Sequence, residues 1–205
     1  MGRNLEPKHR KCRAYGMKLC DSAKCPITKR NYAPGQHGQK KMRGKVSDYG
    51  KQLVEKQKAK IVYGMLERQF RTTFDRARKL PGSAGVNLLA LLERRLDNVV
   101  FRAGLAPTKR AARQLVNHGH FDVNGVKTDI PSYTVKVGDV IIARPNKTKN
   151  AYWKNFSEKQ RTDDAVPGWI AVDYKNFSIT VVSLPKADEV PQNIQTHLIV
   201  EFYSR

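Results

Sequence analysis

The stretch Leu105-Ala106-Pro107-Thr108-Lys109-Arg110-Ala111-Ala112-Arg113-Gln114-Leu115-Val116-Asn117-His118-Gly119, with Phe121-Asp122-Val123-Asn124-Gly125-Val126-Lys127-Thr128 behind it, decides the fold. Thr108 offers an N-cap oxygen and Gly119 a stop, so one short helix is predicted between them. Ala111, Ala112, Leu115 and Val116 form its packing side, while Lys109, Arg110 and Arg113 stand together at i, i+1 and i+4. Asn124-Gly125 between two β-forming runs is a strong hairpin signal, because both residues tolerate positive φ. Tyr133-Thr134-Val135 and Val140-Ile141-Ile142-Ala143 flank a second expected turn at Gly138-Asp139. The unit from about 93 to 145 therefore reads as two helices on a small antiparallel sheet.

Working towards the amino terminus, a helix over about 87–103 would bury Leu88, Leu91, Leu92, Leu96, Val99 and Val100, with Gly104 as its C-cap. Pro81-Gly82 separates it from a helix over about 67–79, where Leu66, Phe70 and Phe74 share one face and Arg68, Arg71, Arg76 and Arg78 supply charge. Ser47 caps a further charged helix over about 48–63. Residues 1–46 show no helical or alternating period, and they hold too little apolar surface to offset their ordering entropy. Towards the carboxy terminus we expect a short helix around 148–159, strands near 169–173 and 177–183, and a last strand over His197 to Tyr203. The fold class is α+β. Its parts are a basic extension (1–46), a helical domain (47–92) completed by 146–205, the unit 93–145, and a C-terminal helix and strands (146–205).

Charge narrows the function. The 205 residues carry 39 Lys+Arg against 18 Asp+Glu, a net +21. Residues 1–80 alone hold 22 against 6, whereas residues 146–205 hold 8 against 7. A solvated surface would intersperse the two signs, so the asymmetry points to a polyanionic partner. No run approaches the ~20 apolar residues of a membrane span. The charged amino terminus lacks an apolar secretory core, and Glu6 stands where myristoylation needs Ser or Thr. With an odd cysteine count, this composition reads as intracellular and argues against a disulfide framework.

The three cysteines follow one histidine as His9-x2-Cys12, seven residues, then Cys20-x4-Cys25. Three thiolates and an imidazole suit one tetrahedral zinc ion, closed and structural. Such an ion would order a segment that has no core of its own. His37 is the rival fourth ligand, an iron–sulfur cluster ranks below zinc, and free cysteines in a metal-free loop are the bland alternative.

Leu92-Glu93-Arg94-Arg95-Leu96-Asp97-Asn98-Val99-Val100-Phe101-Arg102, Lys109 to Asn117, and Phe121 to Gly125 resemble the small RNA-binding domain of the ribosomal protein S-four family. Tyr-Ala-Pro-Gly-Gln-His-Gly-Gln at 32–39, Ser47-Asp48-Tyr49-Gly50, Glu55-Lys56-Gln57-Lys58, Tyr63-Gly64, Glu67-Arg68-Gln69-Phe70-Arg71 and Val200-Glu201-Phe202-Tyr203-Ser204-Arg205 extend the resemblance over the whole chain, in its bacterial or organellar form. It implies a cytoplasmic constituent of the small ribosomal subunit that binds the 5′ domain of 16S ribosomal RNA and nucleates assembly. It also implies a place near the channel by which messenger RNA enters, and an effect on translational accuracy through contact with ribosomal protein S-five. No membrane and no small-molecule substrate are expected. Many members carry four Cys at the metal position, so His9 is a departure from that pattern.

The residues expected to touch RNA are Lys109, Arg110, Arg113, Asn117, His118, Asn124, Arg68, Arg71, Lys56, Lys58 and Arg3, together with Lys40, Lys41, Arg43 and Lys45 on the messenger side. RNA helices hide most base edges, so phosphate position and shape would be read more than sequence. Arg95-Leu96-Asp97 resembles a triplet of pseudouridine synthases, yet it falls in an amphipathic helix and the chain lacks their large catalytic domain. No phosphate-cradling loop or hydrolase motif is present. We therefore expect no enzyme. The alternative is a stand-alone RNA chaperone or stress protein with the same domain.

Overall fold

The computed structural model describes residues 6–22, 24–41, 46–157, 166–186, 189 and 193–204. Its helices are, in chain order, α1 (Lys8–Tyr15), α2 (Gly38–Lys41), α3 (Asp48–Val62), α4 (Glu67–Arg78), α5 (Ala84–Glu93), α6 (Leu96–Arg102), α7 (Lys109–Asn117), α8 (Pro145–Thr148), α9 (Ala151–Ser157) and α10 (Thr196–Ser204). The strands are β1 (Phe121–Val123), β2 (Val126–Lys127), β3 (Val140–Ala143), β4 (Ile170–Asp173) and β5 (Ser178–Val181). The chain divides into two compact units, residues 1–88 with 191–205 and residues 89–190, the division falling inside α5.

In the first unit α3 begins where Ser47 Oγ accepts the Gly50 N–H at 3.2 Å. Phe70 and Phe74 of α4 are buried on one face, as their spacing predicts. The C-terminal segment is a helix and not the expected strand. Tyr203 stacks on Phe74 at 4.6 Å, and Phe202 meets Tyr49 at 5.7 Å. Gln52 Nε2 donates to Glu201 at 2.9 Å. These partners lie far away in sequence, and their packing overrides the β preference of Ile199, Val200, Phe202 and Tyr203.

The amino-terminal extension also departs from expectation. Residues Lys8–Tyr15 form α1, closed by Gly16 at φ 65°. No amphipathic stripe forms it. Its buried residue is Cys12, which joins Leu19 and Cys25 in a small cluster with Tyr15, Met17, Cys20, Ile27, Ile61 and Val62 around it.

The second unit is built on a five-stranded antiparallel sheet of order β2-β1-β3-β5-β4. Asn124 (φ 50°) and Gly125 (φ 80°) make the predicted tight turn between β1 and β2. Leu96, Val99, Val100, Ala112, Leu115 and Val116 of α6 and α7 share one core with Phe121, Ile141, Trp153, Trp169 and Ile179. Residues 146–190 thus belong with 93–145, because β5 pairs with β3 and both tryptophans enter this core. Only the tail beyond 190 joins the helical unit.

Two further expectations change here. The single helix over 87–103 is broken at Arg95, whose ψ of 137° is extended. Arg94 and Val135 exchange bonds, Val135 N–H to Arg94 O and Arg94 Nε to Val135 O, each 2.9 Å. Residues 133–135 therefore cross the helix break, where Thr134 bridges Arg95, and do not pair with β3.

Candidate nucleic-acid interface and metal site

Thr108 Oγ1 accepts the Ala111 N–H at 3.2 Å and starts α7. Gly119 ends it at φ 64°. The exposed stripe of this helix is Arg110, Gln114, Asn117 and His118. Lys109 is half-buried with its ammonium 5.4 Å from the Phe101 ring centre. Arg113, expected to stand beside it, turns inward and lies 3.6 Å from Asp97. The helical wheel places position 113 at the rim of the packing face, which explains the inward turn. Lys127 extends the stripe, since a β-carbon at Gly119 would meet its Cε at 3.0 Å. Gln114 and Lys127 are additions to the residues expected from sequence; the i, i+4, i+7 spacing from Arg110 is the signal that marks the first.

Asn124 performs a structural task. Its Nδ2 donates to Asp139 at 2.9 Å, and its Oδ1 accepts the Val140 N–H at 2.9 Å. Beneath the stripe, Arg95 grips Asp97 with two bonds of 3.1 and 2.8 Å, while Glu93 receives Arg102 at 2.9 and 2.8 Å and Asn98 at 2.6 Å. The Asp97 carboxylate of the Arg-Leu-Asp triplet is thus buried and spent on ion pairs.

In the first unit Arg68 and Arg71 are exposed on α4. Lys56 is buried, paired with Glu67 at 2.8 Å and 4.5 Å from the Phe202 ring centre. Lys58 pairs with Glu55. Arg3, Arg43 and Lys45 lie outside the described residues, as do the side chains of Lys40 and Lys41. Among the sequence-predicted cations, the structure therefore exposes Arg68, Arg71 and Arg110 and commits Lys56, Lys58 and Arg113 to internal pairs.

The group that could hold a metal ion is His9, Cys20 and Cys25, whose ligand atoms all lie within 4.8 Å of one another. His9 Nδ1 is 3.7 Å from Cys20 Sγ. Cys12 stands outside that tight group, yet it interacts with both other thiols and its sulfur accepts the Leu19 N–H at 3.4 Å. Burial pushes the Cys12 thiol up to about 11. Burial acts on Cys25 in the same direction, but the Ile27 N–H and the neighbouring Cys20 and Cys12 outweigh it and lower its pKa. His37 is exposed and not part of the group. The three gathered donors, with Cys12 beside them, fit a small tetrahedral thiophilic ion.

Among the described residues no helix is long and apolar enough to cross a membrane. Residues 3–93 match the family described as ribosomal protein S4/S9 N-terminal domain, and residues 94–141 match the S4 domain. The small ribosomal subunit protein uS4 of Clostridioides difficile (strain 630) is 50% identical over 211 residues, covering 100% of both chains. That of Thermoanaerobacter sp. (strain X514) is 51% identical over 211 residues, again with full coverage. That of Roseiflexus castenholzii is 47% identical over 206 residues, also end to end. By these full-length matches, with the helix–hairpin unit and its exposed basic stripe in place, the chain belongs to the ribosomal protein S4 family.

Proposed function

We propose that the protein is an RNA-binding structural component of the cytoplasmic small ribosomal subunit and performs no catalysis. The observation that carries this reading is the full-length kinship, which spans both units and includes the exposed stripe Arg110–Gln114–Asn117–His118 with Lys127 at its end. The partner is 16S ribosomal RNA through its 5′ domain, bound early so that it nucleates assembly. The stripe supplies cations at both ends of a rigid helix edge and neutral hydrogen-bonding groups between them, which suits a phosphate backbone followed across a groove. Arg68 and Arg71, exposed on α4, form a second basic surface, and Arg3 is a further residue for the RNA. Lys40, Lys41, Arg43 and Lys45 are the residues for messenger RNA near its entrance, and ribosomal protein S-five is the neighbour through which accuracy is affected.

The ion is zinc, held by His9, Cys20 and Cys25 with Cys12 as the fourth available donor. Its chemistry is structural, because a site with four protein ligands leaves no position for substrate.

The test is binding to in vitro transcribed 16S ribosomal RNA across a salt series. R110A/K127A should weaken binding and lower the slope of log affinity against log salt by about one for each phosphate that is no longer neutralised. A stand-alone RNA chaperone would bind but would not co-sediment with small subunits through a high-salt gradient. An unchanged slope would remove the α7 stripe from the interface.

A further inference from the structure

We propose that Cys20 and Cys25 form a disulfide under peroxide and so release the structural ion, which makes the amino-terminal segment a reversible thiol switch. The inference rests on the zinc reading above and gives the same residues a redox chemistry. All three cysteines are free in the structure. The Cys20 and Cys25 sulfurs lie within 4.8 Å of each other. A disulfide bond is about 2.05 Å long, so the two sulfurs have less than about 3 Å to close.

The three thiols are not equivalent. Cys12 is fully buried on α1, where its sulfur accepts the Leu19 N–H at 3.4 Å. Cys25 is buried as well, in extended backbone ahead of the turn Pro26–Thr28. Cys20 is partly open to solvent, with exposed Lys18 and Lys24 close to it in the chain. A partly exposed thiol in basic surroundings, with a second thiol behind it, is the arrangement of an oxidant-responsive cysteine. Cys12 is the poorer partner, because it is fixed on the helix and its sulfur is already engaged. Cys20 and Cys25 both follow α1, so their closure leaves the helix backbone untouched.

The step balances with hydrogen peroxide as the oxidant. The Cys20 sulfur attacks one peroxide oxygen, the O–O bond breaks, and the departing hydroxide takes up the thiol proton as water. The Cys25 sulfur then attacks the Cys20 sulfenic acid. The S–S bond forms, the S–O bond breaks, and the hydroxyl leaves as water with the second thiol proton. Two thiols and one peroxide thus give one disulfide and two waters. That bond removes two donors and leaves His9 and Cys12, too few for a tetrahedral site. Exchange with a small thiol such as glutathione returns both cysteines and with them the site.

The experiment treats the zinc-loaded full chain with a graded series of hydrogen peroxide. Released zinc is read with a chromogenic chelator, and the cysteines are mapped by mass spectrometry after alkylation and trypsin without reduction. Cleavage after Lys18, Lys24 and Lys29 puts Cys20 and Cys25 on separate peptides, 19–24 and 25–29, which stay joined only through the disulfide. About one zinc should leave for each joined pair, and dithiothreitol with added zinc should restore the bound ion. Cys12→Ser should still join the two peptides. Oxidation to sulfinic or sulfonic acid without a joined pair would overturn the switch, as would a bridge to Cys12 or zinc that stays bound after the disulfide forms. A chain that holds no zinc before peroxide is added would instead overturn the metal reading, and metal release with it.

Discussion

Trp153 Nε1 donates to His120 Nδ1 across 2.9 Å, and both rings are buried against Phe121 and the strands around it. The bond requires a bare ring nitrogen on His120. Burial, and next the Lys147 and His118 charges, hold the imidazole pKa below its ordinary value. The unfolded chain therefore takes up a proton at a higher pH than the native one. Stability from this pair is complete above about pH 6.5 and declines as pH falls through the lowered native value. Both tryptophans of the chain lie in residues 89–190, so their fluorescence reports this unit alone. Urea midpoints for the parent should fall between pH 7.5 and 5.5, and His120→Gln should flatten that fall. Equal pH slopes in the two proteins would contradict the assignment.

Asn124 ties the β1–β2 turn to the start of β3 through Asp139 and the Val140 N–H. It also occupies a backbone region that penalises most side chains. Asn124→Ala loses both bonds and keeps the strain, for a cost of about 2–3 kcal/mol. Asn124→Gly loses the bonds but relieves the strain, and should cost about 1 kcal/mol less. Tryptophan-detected unfolding measures both. If the alanine variant lies within about 0.5 kcal/mol of the parent, a typical surface change, the residue has no structural task and direct contact with RNA becomes its role.

The turn at Asn124-Gly125 and the cap at Thr108 are legible in the sequence because chemistry within three residues decides them. Arg113 departs from its expected position for a geometric reason: charge pattern alone does not separate the rim of a helix from its exposed face, and Asp97 sixteen residues earlier draws it inward. The C-terminal helix is not legible from β propensity, since Tyr49, Gln52, Lys56 and Phe74 decide its conformation from more than 120 residues away. Helix α1 has no apolar period to read. Its buried residue is a cysteine, and the pattern that is visible there is the metal-type spacing, not a hydrophobic one.

Glu67 gathers three partners, Lys56 at 2.8 Å, Lys60 at 2.9 Å and the Tyr203 hydroxyl at 2.9 Å. Burial raises its pKa, but those hydrogen bonds and charges outweigh it and bring the carboxyl to about 2. Burial, with Glu67 beside it, raises the Tyr203 phenol in turn. For a carboxylate with a depressed native value, stability is complete above about pH 4.5 and is lost as pH falls towards 2. The side chain is 45% exposed, so screening limits the effect to about 1 kcal/mol or less. Glu67→Gln should lower the thermal midpoint at pH 6 and converge with the parent near pH 2. A difference that persists undiminished at pH 2 would mean that the carboxylate charge is not what holds α10 to α3 and α4.

The metal site gives the last expectation. His9 and Cys12 lie on α1, whereas Cys20 and Cys25 follow it, so one ion would tie the helix to the turn that comes after. Elemental analysis of the chain released natively from small subunits should find about one zinc per chain, as four protein ligands imply. His9→Ala, Cys20→Ala and Cys25→Ala should each lose or weaken it, and Cys12→Ala should do the same if that thiol completes the tetrahedron. His37→Ala should keep it. Chelation should expose the Lys and Arg residues near α1 to trypsin while residues 89–190 keep their tryptophan signal, because metal-binding energy is folding energy only for the segment it closes. Zinc retained in His9→Ala but lost in His37→Ala would transfer the fourth position to the loop. No zinc in any of the chains would leave α1 to be ordered by RNA and the small Cys12–Leu19–Cys25 cluster alone.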